Sequence, residues 1–156
     1  MLSRREAIKS IFAEHGDDCI YVTSTGYISR AVHQEFREKK NIFYMQGSMG
    51  LAPAIGIGIA SSQSLPVVVI SGDAALLMHL GLTHSIRDLA LPNLFVYVLD
   101  NGCHESVGSY YAPPLETRYE GVTKILKISR DGKCPRVEVT PVKNAEGVKS
   151  FIQNAQ

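Results

Sequence analysis

The residues best equipped for chemistry in this chain stand at the ends of apolar runs. Val67-Val68-Val69-Ile70 leads into Ser71-Gly72-Asp73-Ala74-Ala75, and Leu94-Phe95-Val96-Tyr97-Val98-Leu99 leads into Asp100-Asn101-Gly102. A third polar end, Ser24-Thr25-Gly26-Tyr27, follows Ile20-Tyr21-Val22. Glycine lets backbone amides approach a phosphate, and the start of a helix adds partial positive charge. A carboxylate near a side-chain amide, with no Cys or His cluster beside them, is an all-oxygen donor set. Such a set selects a hard cation, and Mg2+ bridging to phosphate is its usual form. These residues compose a candidate phosphate-and-magnesium site. A plainer reading stays open beside it, with Asp73 as a helix cap and Asn101 as a turn residue.

The elements that must hold these ends follow from periodicity. Ser3 and Glu6 form an S-x-x-E capping box, and Ala7, Ile8, Ile11 and Phe12 give the helix it opens one apolar face. Ile20 to Val22 predicts a strand, Ser24 to Gly26 a turn, and Ser29 a cap for a helix through Phe36 whose charged end, Arg37 to Lys40, is solvated. A short strand over Ile42 to Met45 precedes Gly47-Ser48-Met49-Gly50. The Gly- and Ala-rich stretch Ala52 to Ser61 predicts a closely packed helix. A helix from about Ala75 to Leu89 follows the strand at 67–70, and Pro92-Asn93 breaks the chain before the strand at 94–99. Asp100 to Tyr111 lacks periodicity and reads as a loop. Beyond it, Val122 to Leu126 allows a helical turn, or Ile125 to Ile128 a strand. Arg136 to Thr140 alternates as a strand, and Ala145 to Asn154 reads as a final helix. Continuous apolar strands separated by helices predict an α/β fold: one domain over 1–156, a doubly wound parallel sheet with helices on both faces. Ligands of such sheets bind beyond the carboxyl ends of the strands, where the three polar ends lie.

Composition narrows the function classes. The 156 residues are 45% hydrophobic and 20% charged with a formal net charge of +1, so neither nucleic acid nor membrane is an expected partner. Cys19, Cys103 and Cys134 are odd in number and far apart, and Arg4-Arg5-Glu6 stands where a secretory peptide needs an apolar core. A reducing, cytoplasmic location is expected. There is no G-x-x-x-x-G-K-[ST] or G-x-S-x-G segment, and Gly56-Ile57-Gly58 falls inside a helical stretch.

Gly72-Asp73-Ala74 followed 28 positions after Asp73 by Asn101, within Asp100-Asn101, resembles the Gly-Asp-Gly…Asn-Asn motif of thiamin-diphosphate enzymes. Gly47-Ser48-Met49-Gly50 is similar to the segment that meets the cofactor's aminopyrimidine ring in that family. "FYMQGSMG", "GDAALLMHLG", "DNGCHESVG" and "STGYISR" look closest to the phosphonopyruvate and sulfopyruvate decarboxylases, and the likeness covers about residues 1–110. The motif's third Gly is Ala74 here, its first Asn is Asp100, and the stretch from Tyr111 to Cys134 is shorter than the family's.

The resemblance implies a set of roles. Asp73 and Asn101 would bind Mg2+ through side-chain oxygens, and Cys103 through its carbonyl. Gly72 and the amides of Ala74 and Ala75, with those near His104 and Glu105, would hold the diphosphate, while Thr25, Gly26 and Tyr27 close over it. Gly47 and Ser48 would meet the pyrimidine, and Met49 would wedge beneath the bent cofactor, unless it is ordinary core. His104 and Glu105 are candidate catalytic groups at the site's edge. Arg30 either meets an anionic 2-oxo acid or is solvated. His79, His84 and His33 read as ordinary helix or surface histidines. The family's activating glutamate belongs to a second, pyrimidine-binding domain, and Glu6, Glu14 and Glu35 lie on helices away from the strand ends. The resemblance thus implies a beta-type subunit completed by an alpha-type Pyr-domain subunit, in a hetero-oligomer such as a dimer of heterodimers. The reaction expected first is decarboxylation of phosphonopyruvate, with sulfopyruvate as the alternative. An inactive binding or regulatory protein on the same fold is the alternative of another class.

Overall fold

Apolar runs become strands of one parallel sheet, and the amphipathic stretches between them become its covering helices. A computed structural model describes residues 1–155. In chain order it gives β1 (Leu2–Ser3), α1 (Arg4–His15), β2 (Ile20–Thr23), α2 (Tyr27–Phe36), β3 (Ile42–Tyr44) and α3 (Ala52–Ser62). These are followed by β4 (Val67–Gly72), α4 (Asp73–Met78), α5 (Leu82–Leu89), β5 (Leu94–Asp100) and β6 (Cys103–His104). A 3-10 turn at Glu105–Val107, β7 (Tyr110–Tyr111), β8 (Lys124–Ser129) and α6 (Pro141–Asn154) complete it.

The main sheet has the order β1-β8-β5-β4-β2-β3, and every neighbouring pair in it is parallel. From β2 the chain steps outward to β3 and then returns across β2 to β4, so the winding reverses between β2 and β4. Such a reversal opens a crevice beyond the strand ends. Here Ser24 to Gly26 and Gly72-Asp73 border it.

Alternation along the strands sorts the core into two layers. Tyr21, Val68, Ile70, Tyr97 and Leu99 join Ile8, Ile11 and Phe12 of α1 and Ala31 and Val32 of α2. Ile20, Val22, Val67, Val69 and Val96 join Ala52 and Ala60 of α3, Ile86 of α5 and Val148 of α6. Each fully buried aliphatic side chain contributes about 1.5–3 kcal/mol. A Cβ at Gly56 would stand 2.4 Å from Val69 Cγ2, so the glycine lets α3 settle directly on β4.

Several boundaries differ from the sequence expectation, each for a local reason. The helix expected over 75–89 is two helices, α4 and α5. At the break the N–H of Leu82 bonds the His79 carbonyl and that of Thr83 the Leu80 carbonyl, with Thr83 Oγ1 donating to the same Leu80 oxygen at 2.7 Å. Ser29 is not a cap: α2 starts at Tyr27 after Gly26, and Ser29 is buried, its Oγ 2.8 Å from Ser24 O and 3.0 Å from Met45 O. Residues 136–140 do not form a strand, because the edge of β3 is already occupied. Asn144 accepts from Tyr44 N–H at 2.8 Å and donates to Ile42 O at 2.7 Å, imitating a neighbouring strand. This also explains the earlier start of α6, which Thr140 caps ahead of Pro141. The 100–111 loop holds a small antiparallel hairpin, β6 with β7, and the ambiguous stretch near 125 is the strand β8. His33 is half-buried, edge-on to Tyr44 with ring centroids 5.2 Å apart.

Candidate functional site

Gly72 is the N-cap of α4 and no side chain caps that helix, so Asp73, its first residue, is free for another role. Its Oδ2 accepts from the backbone N–H of Gly102 at 2.8 Å, tying the end of β4 to the turn after β5. Asp100 Oδ1 accepts from the same N–H at 3.1 Å, so two carboxylates converge on one donor. Asp100 is balanced by the Lys127 ammonium from β8. No Lys, Arg or His among the described residues forms an ion pair with Asp73. Asp73 is only 3% exposed. Burial pushes its pKa up and the Asp100 charge adds to this, while the amides of Ala74 and Gly102 oppose it.

Asn101 uses both ends of its amide. Oδ1 accepts from the N–H of Cys103 at 3.2 Å, so the turn anticipated from its residue type is present. Nδ2 donates to Glu105 Oε2 at 2.9 Å. That same carboxylate oxygen accepts from Arg4 Nη2 at 2.6 Å, across the start of α1. Arg4 is 1% exposed, with its Nη1 3.4 Å from Cys134 Sγ and its guanidinium carbon 5.3 Å from the centre of the Tyr27 ring.

Around these groups lies an inner pocket bordered by Thr25, Tyr27, Met49, Gly72, Asp73, Ala74 and Ala75 on one side. Asn101, Cys103, His104 and Glu105 border it on the other. An outer groove takes Gly26, Arg30, Gly47 and Ser48. Thr25, Met49 and Ser106 border both, which puts the half-buried Met49 at the junction. The 47–50 turn is left-handed at Ser48 (φ 48°) as well as at Gly50 (φ 90°), a conformation that costs a non-glycine residue about 1–2 kcal/mol. Every residue given a role by the family resemblance borders one of these two spaces, whereas Asp100 and Gly102 of the same strand end border neither. His79 and His84 are exposed and border neither.

The structure adds residues that the sequence reading left out. Arg4 shares the helical stripe of Ala7, Ile8, Ile11 and Phe12, all buried, and an arginine in that phase was the available signal. Ser106 joins the inner pocket beside Ser24 of the polar strand end already named. Arg136 joins Arg30 in the outer groove, which has no Asp or Glu in its lining. Arg30 rests 5.2 Å from the centre of the Tyr27 ring.

The donor chemistry can be tested against a metal–diphosphate pair. Among the described residues no three His, Cys, Asp or Glu side chains gather as a metal site. The oxygen set at the crevice is Asp73, Asn101 and nearby carbonyls, too few to enclose a cation by themselves. Mg2+ is commonly held in this manner, by one or two carboxylates together with ligand phosphates. A buried, unpaired Asp73 beside Asp100 fits a cation that arrives with its anion.

Comparison with known proteins agrees with this architecture. The model of the thiamine pyrophosphate enzyme C-terminal TPP-binding domain matches residues 24–154. The beta subunit of sulfopyruvate decarboxylase from Methanothermobacter thermautotrophicus is 39% identical over 109 residues, covering 70% of this chain and 58% of that protein. Phosphonopyruvate decarboxylase from Streptomyces viridochromogenes is 39% identical over 106 residues, covering 68% of this chain and 26% of that one. The chain therefore spans between a quarter and three-fifths of these relatives. A Mycobacterium smegmatis protein described as a thiamin-diphosphate-dependent enzyme superposes with a TM-score of 0.61 at 14% identity, over 86% of this chain and 32% of that one. At that identity the superposition speaks for the fold alone.

Proposed function

Since the chain belongs to the thiamine pyrophosphate enzyme family as a TPP-binding domain, we propose that it binds thiamin diphosphate with Mg2+ as the beta-type subunit of a 2-oxo acid decarboxylase. The observation that carries this reading is the meeting of Asp73 and the Asp100-Asn101 turn, at the reversal between β2 and β4, beside the Met49 turn. Asp73 and Asn101 would supply side-chain oxygens to the cation and Cys103 its carbonyl. Gly72, Ala74, Ala75 and the His104-Glu105 backbone would receive the diphosphate, with Thr25, Gly26 and Tyr27 over it. Gly47, Ser48 and Met49 would seat the cofactor's rings in the groove. When bound, thiamin diphosphate supplies an electron sink for loss of CO2 from a 2-oxo acid.

Arg30 and Arg136, without an acid in the groove lining, favour a substrate with a second anionic group. Relatives named for sulfopyruvate and for phosphonopyruvate match equally well, so the proposal is a three-carbon 2-oxo acid bearing a sulfonate or a phosphonate. His104, half-buried at the pocket edge, is kept as the candidate catalytic group. Glu105 is committed to Arg4 and Asn101, Glu6 to the Ser3 cap, Glu14 to Tyr97, and Glu35 to Arg5 and Lys9. The activating glutamate is accordingly assigned to an alpha-type Pyr-domain subunit, as the "subunit beta" in a relative's name suggests.

The test is co-expression with an alpha-type subunit and assay of CO2 release from both substrates. Thiamin diphosphate with Mg2+ is expected to raise the melting temperature of the isolated chain, and Asp73→Ala to abolish the rise. Release of CO2 is expected only in the presence of the partner. Turnover of neither substrate, with cofactor binding unaffected by Asp73→Ala, would sink the proposal.

A further inference from the structure

We propose that Arg4 is a positioning residue for the cation site, acting through Glu105 on the side-chain amide of Asn101; this rests on the cofactor reading above. Arg4 lies N-terminal to the matched family segment, which begins at residue 24. It reaches the site because two local features seat the start of α1. β1 pairs Leu2 with Ile128 and Ser3 with Ser129 at the sheet edge, and the reciprocal Ser3–Glu6 cap makes Arg4 the first helical residue. The N–H of Arg5 donates to Asp131 at 2.9 Å, fixing the same turn against the loop after β8. Arg4 therefore points along the buried stripe of α1 and ends on Glu105, with side chains 2% and 9% exposed.

Glu105 Oε2 takes a proton-bearing nitrogen from each side, Arg4 Nη2 at 2.6 Å and Asn101 Nδ2 at 2.9 Å. A carboxylate only accepts, so it selects the NH2 end of the Asn101 amide. The oxygen end is thereby turned away from Glu105, where it accepts from the N–H of Cys103 at 3.2 Å and stays available as the proposed cation ligand. Were the amide to turn over, a donor would face the cation. Glu105 can do this while buried only because Arg4 balances its charge, since a buried acid without its counter-ion is strongly unfavourable. Partners behind a metal ligand typically change metal affinity by about 10–100-fold when removed.

The experiment compares wild type, Arg4→Met, Glu105→Gln, Arg4→Met/Glu105→Gln and Asp73→Ala by calorimetric titration with thiamin diphosphate, with and without Mg2+. Arg4→Met is expected to lower the affinity with Mg2+ by about tenfold or more, while changing the weak Mg2+-free binding less than twofold. The double variant is expected to recover most of the loss, because the amide that replaces the Glu105 carboxylate needs no counter-charge and its carbonyl still accepts from Asn101. A general loosening of the fold would weaken both titrations alike, and that result overturns the proposal, as does Arg4→Met binding like wild type or a double variant no better than the single. If Arg4→Met does not fold, Glu105→Ala must give the same Mg2+-specific loss, and wild-type affinity there overturns it. If wild type binds no cofactor, the cofactor reading fails instead. Hydrogen exchange at the Asn101 side-chain amide of the cofactor-free protein then decides: it is expected to quicken in Arg4→Met (or Glu105→Ala) and to slow again in the double variant. Unchanged exchange overturns the proposal.

Discussion

Asp73 is held in a state that works against the stability of the empty protein. Its carboxylate is buried beside Asp100, and the two share the Gly102 N–H, while Lys127 serves Asp100 alone. A raised carboxyl pKa means that the folded chain prefers the neutral acid, so ionisation at neutral pH costs stability. Asp73→Asn keeps an acceptor for Gly102 and removes the charge. It is expected to raise the urea-unfolding stability of the cofactor-free protein at pH 7 by about 0.5–2 kcal/mol while eliminating Mg2+-dependent cofactor binding. A variant that loses binding without gaining stability would show that Asp73 is already compensated in the empty state.

Among the elements, α3 offers the sharpest contrast, because two of its glycines have opposite surroundings. Gly56 faces Val69 at a distance no Cβ tolerates, whereas a Cβ at Gly58 meets nothing within 4 Å. Gly56→Ala is expected to destabilise by about 1–3 kcal/mol through overpacking. Gly58→Ala should stabilise by about 0.5–1 kcal/mol through helix propensity. Chemical denaturation of the two variants checks both signs. The Gly/Ala spacing announced close packing, but only the register of α3 on β4 says which glycine is in contact. The same limit recurs elsewhere. The strand ends at 24–27, 72–75 and 100–103 were legible because apolar runs and glycines mark them locally. The absence of a strand at 136–140 was not, since it depends on Asn144 reaching the β3 edge about 100 residues after Ile42 and Tyr44. Arg4 was missed for a related reason: its partner Glu105 is 101 positions away, and only the helical phase hinted at its burial.

Across the fold, contacts between distant segments brace the structure, and one of them is expected to make stability depend on pH. His15, at the end of α1, has Nε2 2.8 Å from the hydroxyl of Tyr97 in the central strand β5, and Tyr97 donates to Glu14 at 2.8 Å. Burial lowers the His15 pKa, with the Glu14 charge opposing. The unfolded chain therefore takes up this proton first as pH falls. Stability is full above the ordinary histidine pKa of about 6.5 and declines through it toward the lower folded value. Urea midpoints are expected to fall between pH 7.5 and 5.5, and His15→Gln to flatten that dependence. A profile identical in the variant would assign the effect to other groups. No helix of the described residues is long and apolar enough to cross a membrane.

The three free cysteines are buried at different depths of function: Cys134 against Arg4, Cys103 in the pocket wall, and Cys19 among the core residues near Tyr21. Burial raises the thiol pKa of Cys19 and Cys103, which leaves little thiolate to react. The protein thus carries its own set of molecular clocks. The rate at which a thiol reagent reaches Cys103 times the breathing of the inner pocket, Cys134 that of the Arg4 seam, and Cys19 the opening of the core, with no cysteine having to be engineered in.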